Sequence, residues 1–149
     1  MTHITIGIDP DIDKCGVALY SKQAGITLSM LHLWEVFDVI RAVHADGNLR
    51  YVCIEAGHKE KKSNWHAAKN SNIAQAIGRS VGLNNAIGRL LEDFCVSLGI
   101  EHRLVPVAGY SKVDAKMFKA TTGYQGRTNP ETRAAGMIAF VYGTRGSNG

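Results

Sequence analysis

Three carboxylates in this chain stand where an acid can do chemistry. Asp9 closes the run I-T-I-G-I-D, Glu55 closes Y-V-C-I-E, and Glu131 falls in T-N-P-E. An acid at a strand end projects into the mouth of a sheet from a fixed backbone, which suits a metal ligand or a general base. Gly7 and Gly16, on either side of Asp9, fit close backbone approach or a bulge, since glycine leaves room where a side chain would not. Asp11 and Asp13 read as turn formers. For Glu131 two readings stand together: Thr128-x-x-Glu131 is a capping box, and a first-turn carboxylate is favoured by the helix dipole whether it caps or binds.

The elements that must position these acids follow from periodicity. Ile4, Ile6 and Ile8 alternate with Thr5 and Gly7, and Cys15 to Tyr20 is a second apolar run, so the chain opens with a β-hairpin. Gly25 to Leu31 alternates again as a third antiparallel strand, reached through the turn Ser21 to Ala24. Leu33 to Ala45 carries Leu33, Val36, Phe37, Ile40 and Val43 at helical spacing, with Asp46-Gly47-Asn48 as its stop. Tyr51-Val52-Cys53-Ile54 is a continuous apolar run, the mark of a strand buried on both faces.

From Ala56 to Asn72 the chain is polar and basic, with the character of a mobile surface. Beyond it the spacing predicts a short helix over Ser71 to Arg79, a break near Gly82, and a strong helix over Leu83 to Leu98. That helix would bury Leu83, Ile87, Leu90, Leu91, Phe94 and Leu98 and stop at Gly99. The small residues Gly78, Gly82, Ala86 and Gly88 are costly in a helix and point to close approach of another element or to that break. Arg103 to Val107 reads as a fifth strand and Ser111 to Thr121 as a short lysine-rich helix. A last helix starts at Thr128-Asn129-Pro130-Glu131 and runs to Gly143. Residues 1–143 are expected to form a single domain, with 144–149 a frayed tail.

Composition narrows the class. The 149 residues, 45% hydrophobic, suffice for one buried core and are short for two. Seventeen basic residues against 13 acidic ones give a net charge of +4, which favours polyanionic partners. Nothing approaches the roughly 18 uninterrupted apolar residues of a membrane helix, so no membrane partner and a cytoplasmic location are expected. Cys15, Cys53 and Cys95, widely spaced among apolar neighbours, read as buried reduced thiols. The histidines show no metal-site pairing beyond His58 and His66 in the loop.

Three strands, a helix, a strand, a helix, a strand and a final helix, with acids ending the first and fourth strands, is the order of the ribonuclease-H-like fold. The expected architecture is α/β. Its five-stranded mixed sheet has strands 1–3 antiparallel and strands 4 and 5 parallel to strand 1, and helices flank it. In that fold the first and fourth strands are neighbours and the last helix crosses their ends, so the three acids would converge on divalent metal.

The chain resembles the RuvC-like Holliday-junction resolvases, particularly the small forms encoded by bacteriophages. The resemblance rests on I-G-I-D-P-D-x-x-x-C-G-V-A-L-Y around Asp9, Y-V-C-I-E around Glu55, and K-x-x-x-T-T-G-Y-x-G-R-T-N-x-E-x-R leading through Arg127 to Glu131. It implies that Asp9, Glu55 and Glu131 are metal ligands and catalytic, in a homodimer that nicks two opposed strands of a four-way DNA junction in a bacterial or phage-infected cell. One position departs from the family pattern. Three residues after Glu131, where an aspartate usually shares its helix face, stands Ala134. A resolvase impaired at Ala134 and a non-catalytic branched-DNA-binding protein of the same fold are both compatible with that departure.

Phosphodiester hydrolysis needs an activated water and a neutralised leaving oxygen, which two metal ions roughly 4 Å apart supply. Carboxylate ligands suit magnesium or manganese, two ions per site, with Asp9 bridging both and Glu55 and Glu131 completing one each. Lys112 or Lys116 would approach the scissile phosphate, or else sit solvated on the surface. Lys59, Lys61, Lys62, Lys69 and Arg127 would contact phosphates, and Trp65 would stack on an unpaired base or anchor its loop. A sugar-kinase or actin-like ATPase also opens with a glycine-flanked acid, but it needs two lobes, and this length provides one.

Overall fold

The computed structural model describes residues 3–59 and 71–145. Five strands form one sheet in the order β3-β2-β1-β4-β5: β1 (Ile4–Asp9), β2 (Cys15–Ser21), β3 (Gly25–Leu31), β4 (Leu49–Glu55) and β5 (His102–Val105). β2 runs antiparallel to both β1 and β3, whereas β4 runs parallel to β1 and β5 parallel to β4. This is the ribonuclease-H-like arrangement expected from the order of elements.

Strand alternation divides the core into two layers. On one face Ile6, Ile8, Cys15, Val17, Val52 and Ile54 pack with Val36, Ile40 and Val43 of α1 (Leu33–Ala45) and with Ile87, Leu91 and Cys95 of α2 (Ser71–Ser97). Each such side chain, fully buried, contributes roughly 1.5–3 kcal/mol. The other face is covered by α4 (Pro130–Thr144), whose Ala135 and Ala139 meet Ala18 while Ile138 meets Tyr51, Cys53 and Val105. β4 is buried on both faces, as its unbroken apolar run requires.

α4 lies unusually close to the sheet because the strands beneath it carry glycine. A Cβ on Gly7 would come within 2.8 Å of the Ala139 amide nitrogen and nearer still to the Ala135 carbonyl. At its far end α4 is held by Arg50, whose guanidinium donates to the carbonyls of Gly143 at 2.9 Å and Arg145 at 2.7 Å.

Several expectations need correction. The two helices expected around Gly82 are one continuous helix, α2; among the described residues a Cβ at Gly82 would meet nothing within 4 Å. Its buried stripe is Ile87, Leu91 and Cys95, with Phe94 half-buried, whereas Leu83, Leu90 and Leu98 are exposed. The fifth strand is shorter than Arg103 to Val107 and begins at His102. The helix expected over Ser111 to Thr121 is a 3-10 turn, Tyr110–Lys112, followed by α3 (Ala115–Thr122), which starts only where the Asp114 carboxylate accepts from the Met117 amide at 2.7 Å. Thr144 is the last helical residue of α4, and of the tail expected over 144–149 residues 146–149 lie outside the described residues. Cys15, Cys53 and Cys95 are buried free thiols. Among the described residues no helix is long and apolar enough to cross a membrane.

Candidate active site

Register places two of the three acids side by side. Ile8 pairs with Ile54 across the parallel β1–β4 ladder, so Asp9 and Glu55 follow at the same level. Ile8 and Ile54 belong to the α1/α2 layer; one residue on, Asp9 and Glu55 point to the opposite face, the one α4 covers. The third acid arrives with α4. Gly16, the pairing partner of Asp9 on β2, lies under the first turn of this helix, and a Cβ there would sit 2.6 Å from the carbonyl carbon of Glu131. Asp9, Glu55 and Glu131 therefore share one face and one end of the sheet, and all three are half-buried.

Glu131 is not occupied in capping. The N-cap is Asn129, whose side-chain oxygen accepts from the Thr132 amide at 2.7 Å while the Asn129 amide donates to the Thr132 hydroxyl at 2.9 Å. The capping box expected from Thr128 and Glu131 is thus displaced by one residue. Thr128 accepts instead from Arg133 at 2.9 Å, and Arg133 also donates to the Val113 carbonyl at 2.7 Å, tying the start of α4 to the segment before α3. Asparagine followed by Pro130 at the first helical position is the better cap, which the sequence already contained.

The electrostatics of the cluster are unbalanced. Burial, with added repulsion from Glu55, Glu131 and Asp11, pushes the Asp9 carboxyl up to about 7. Burial raises Glu55 as well. Every neighbouring charge that bears on Asp9 is negative, and among the described residues none of the three acids forms an ion pair. The donor set is oxygen only, a type that could hold a hard divalent cation. As the side chains stand, no group of three or more His, Cys, Asp or Glu among the described residues is arranged to hold an ion. Ligation would require their rotamers to draw inward.

Both strand ends are braced from α2. The Ile12 amide donates to the Asn84 side-chain oxygen at 3.0 Å, fixing the turn after Asp9. After Glu55, the 3-10 turn Gly57–Lys59 docks on the same helix. His58 Nε2 lies 2.9 Å from a Glu92 oxygen, the two side chains being 7% and 17% exposed, and Lys59 Nζ lies 3.6 Å from that oxygen. Gly88 makes the docking possible: a Cβ there would lie 2.8 Å from His58 Nδ1 and 3.6 Å from Pro10 Cγ. The sequence reading placed His58 and Lys59 in a mobile basic surface and missed this clasp. The small residue Gly88 was its only sequence signal.

Of the remaining candidates, Lys61, Lys62, Trp65 and Lys69 lie outside the described residues. Lys59 is exposed but shares Glu92 with His58, so its charge is partly engaged. Lys112, Lys116 and Arg127 are exposed, and among the described residues no ion pair links them to the three acids. Ala134 is completely buried on α4.

Neither a protein-family model nor a curated protein sequence matches the chain. Among the solved structures similar to it are two of the same protein. One is Thermus thermophilus RuvC in complex with a Holliday junction substrate, at 14% identity and a TM-score of 0.49, covering 92% of this chain and 90% of that one. The other, a Thermus thermophilus RuvC structure, has 15% identity and a TM-score of 0.46 over 91% of this chain and 90% of that one.

Proposed function

We propose that this protein is a metal-dependent, structure-specific endonuclease that resolves four-way DNA junctions, working as a homodimer in the cytoplasm of a bacterial or phage-infected cell. The observation that carries the reading is the convergence of Asp9, Glu55 and Glu131 on one sheet end with no protein cation among the described residues to balance them. Divalent ions held there would activate a water and neutralise the leaving oxygen. Asp9, central among the three, would be the shared ligand, and with its carboxyl pushed up to about 7 it would release its proton to solvent on binding a cation. Glu55 and Glu131 would close the site from either side. The clasp on α2 keeps the backbones of both strand ends still, so only side-chain rotation is left for binding.

Lys112 or Lys116 would meet the scissile phosphate, and Lys59, Lys61, Lys62, Lys69 and Arg127 would track the DNA arms. Trp65 would stack on an unpaired base. Paired nicks on a two-fold junction call for two sites related by a two-fold axis. The exposed Leu83 and Leu90, seven residues apart on α2, supply an apolar strip suited to that contact.

Ala134 favours a second reading, a protein that binds branched DNA without cutting it. Single-turnover cleavage of a four-way junction in magnesium and in manganese separates the two. Robust cleavage by the chain as it stands supports the nuclease. Junction binding without cleavage, with cleavage appearing in Ala134→Asp, identifies an impaired nuclease. Binding without cleavage in both forms supports the binding protein.

A further inference from the structure

Among the described residues, the most exposed large apolar side chain is not one the sequence singles out. β3 ends at Leu31 and α1 begins at Leu33, and the extended residue His32 between them turns the chain outward. Trp34, in the first turn of α1, is 64% exposed, the largest exposure of any big apolar side chain among the described residues. It lies flat against His32, with ring centroids 4.4 Å apart and planes 11° from parallel. His32 is itself held: its amide donates to Glu35 Oε1 at 2.9 Å, and its Nδ1 donates to the Asp13 carbonyl at 3.1 Å. The stack is therefore a fixed plate, with one face of the indole resting on the imidazole.

Its place in the molecule gives it meaning. An open groove is lined by Asp11, Asp13, Lys14, Met30, His32 and Glu131. Glu131 of the carboxylate cluster and His32 of the aromatic stack line it together, and Trp34 rests on that His32. Two aspartates along the wall make this path unfavourable for a bare phosphate backbone, while a nucleobase carries no charge to repel. A rigid, exposed aromatic surface binds a base by stacking and loses little further freedom in doing so. The mixture of walls fits one nucleotide unit with its phosphate toward Lys14 and its base toward the rings.

We propose that the His32–Trp34 stack is a seat for an unpaired nucleobase of the DNA strand held at the carboxylates, the base lying on the outer face of Trp34. This rests on the DNA-junction reading above, and the test keeps the two apart.

The chain has two tryptophans, so the probe is a Trp65→Phe protein in which Trp34 is the only emitter. Its fluorescence is followed during titration with oligothymidylate, a four-way junction carrying unpaired thymines at the crossover, and a blunt linear duplex, all in calcium to suppress cleavage. Quenching by the first two and not by the duplex is expected. In the otherwise natural chain, Trp34→Ala should weaken binding of both unpaired substrates by about 10-fold or more, with Trp34→Phe retaining most of the affinity. Duplex binding should be unchanged. Because Trp34 is exposed, an unaltered thermal midpoint confirms that the variants remain folded. Equal affinity of Trp34→Ala and the parent for oligothymidylate, without quenching, overturns the proposal. So does a Trp34→Ala protein that changes only its sedimentation, since a second copy of the chain would then cover the plate. Failure of the parent to bind any of the three DNAs refutes the underlying junction reading instead.

Discussion

Asp9 and Glu92 are acids in opposite circumstances. Both are largely withdrawn from solvent near the same end of the sheet, yet Asp9 is pushed up to about 7 while Glu92 is held below the usual carboxylate range. Burial works against the charge in both. For Glu92 that cost is more than offset by the hydrogen bond from His58 and the charges of Lys59 and His58; for Asp9 the neighbours Glu55, Glu131 and Asp11 add to it. Protein folding supplied Glu92 with counter-charges and left Asp9 with repulsion. An acid that closes its own electrostatics serves the fold, and one left open at a strand end stores a demand for a cation.

That contrast can be broken most directly by removing the charge at Asp9. Asp9→Asn should lower magnesium-dependent junction cleavage by about 10²-fold or more in a single-turnover assay. The same variant should be more stable than the parent in metal-free buffer at pH 8, by up to about 4 kcal/mol from a rise of about three pH units in pKa. Denaturant unfolding showing Asp9→Asn to be the less stable form would mean that Asp9 is already satisfied.

The pH dependence has a fixed sign. A carboxyl whose folded pKa is raised keeps its proton longer in the native state, so its contribution to stability falls as pH rises from about 4 to about 7 and is flat above. The difference in unfolding free energy between parent and Asp9→Asn should open across that window in metal-free buffer. Magnesium at a hundred times its dissociation constant should restore roughly 2.7 kcal/mol to the parent, and clearly less to Asp9→Asn. A thermal shift equal in the two proteins would place the ion elsewhere.

Gly16→Ala sharpens the geometric half of the comparison. The new methyl would collide with the Glu131 backbone, lifting the start of α4 from the sheet at a cost of about 1–3 kcal/mol. Cleavage should fall by more than this stability loss explains, because Glu131 moves with the helix. A denaturation midpoint and a cleavage rate both at parental values would show that α4 does not set the site.

The smallest effect should come from Glu92→Gln, and its sign is the informative feature. Glu92 has a lowered pKa, so its stabilisation is present at neutral pH and lost as pH falls through the acid range. Glu92→Gln should destabilise at pH 7 by about 1 kcal/mol, opposite in direction to Asp9→Asn. Matching signs in parallel urea titrations would remove the distinction between the two acids.

Much of this was legible in the chain itself. Alternation marked β1 and β3, the apolar run Cys15 to Tyr20 marked β2, the unbroken Tyr51 to Ile54 run marked a strand covered twice, and the 3.6-residue spacing marked α1. These are local patterns whose burial follows from their own periodicity. The positions of Asp9 and Glu55 at strand ends, and of Gly7 and Gly16 beneath a close neighbour, were readable for the same reason. What the sequence could not rank was competition between residues equally suited to one task. Asn129 took the cap from Thr128, which left the Glu131 carboxylate free. Leu83, Leu90 and Leu98 have the same hydrophobicity as Leu91, and only the position of α2 against the sheet decided which of them met the core. Nor could it pair His58 with Glu92 or Ile12 with Asn84. Those contacts join residues far apart in the chain, and they exist because the parallel β1–β4 pairing brings two strand ends to one helix. Local pattern determined which segments form and where acids end them; tertiary packing decided which charges are answered and which are left for a partner.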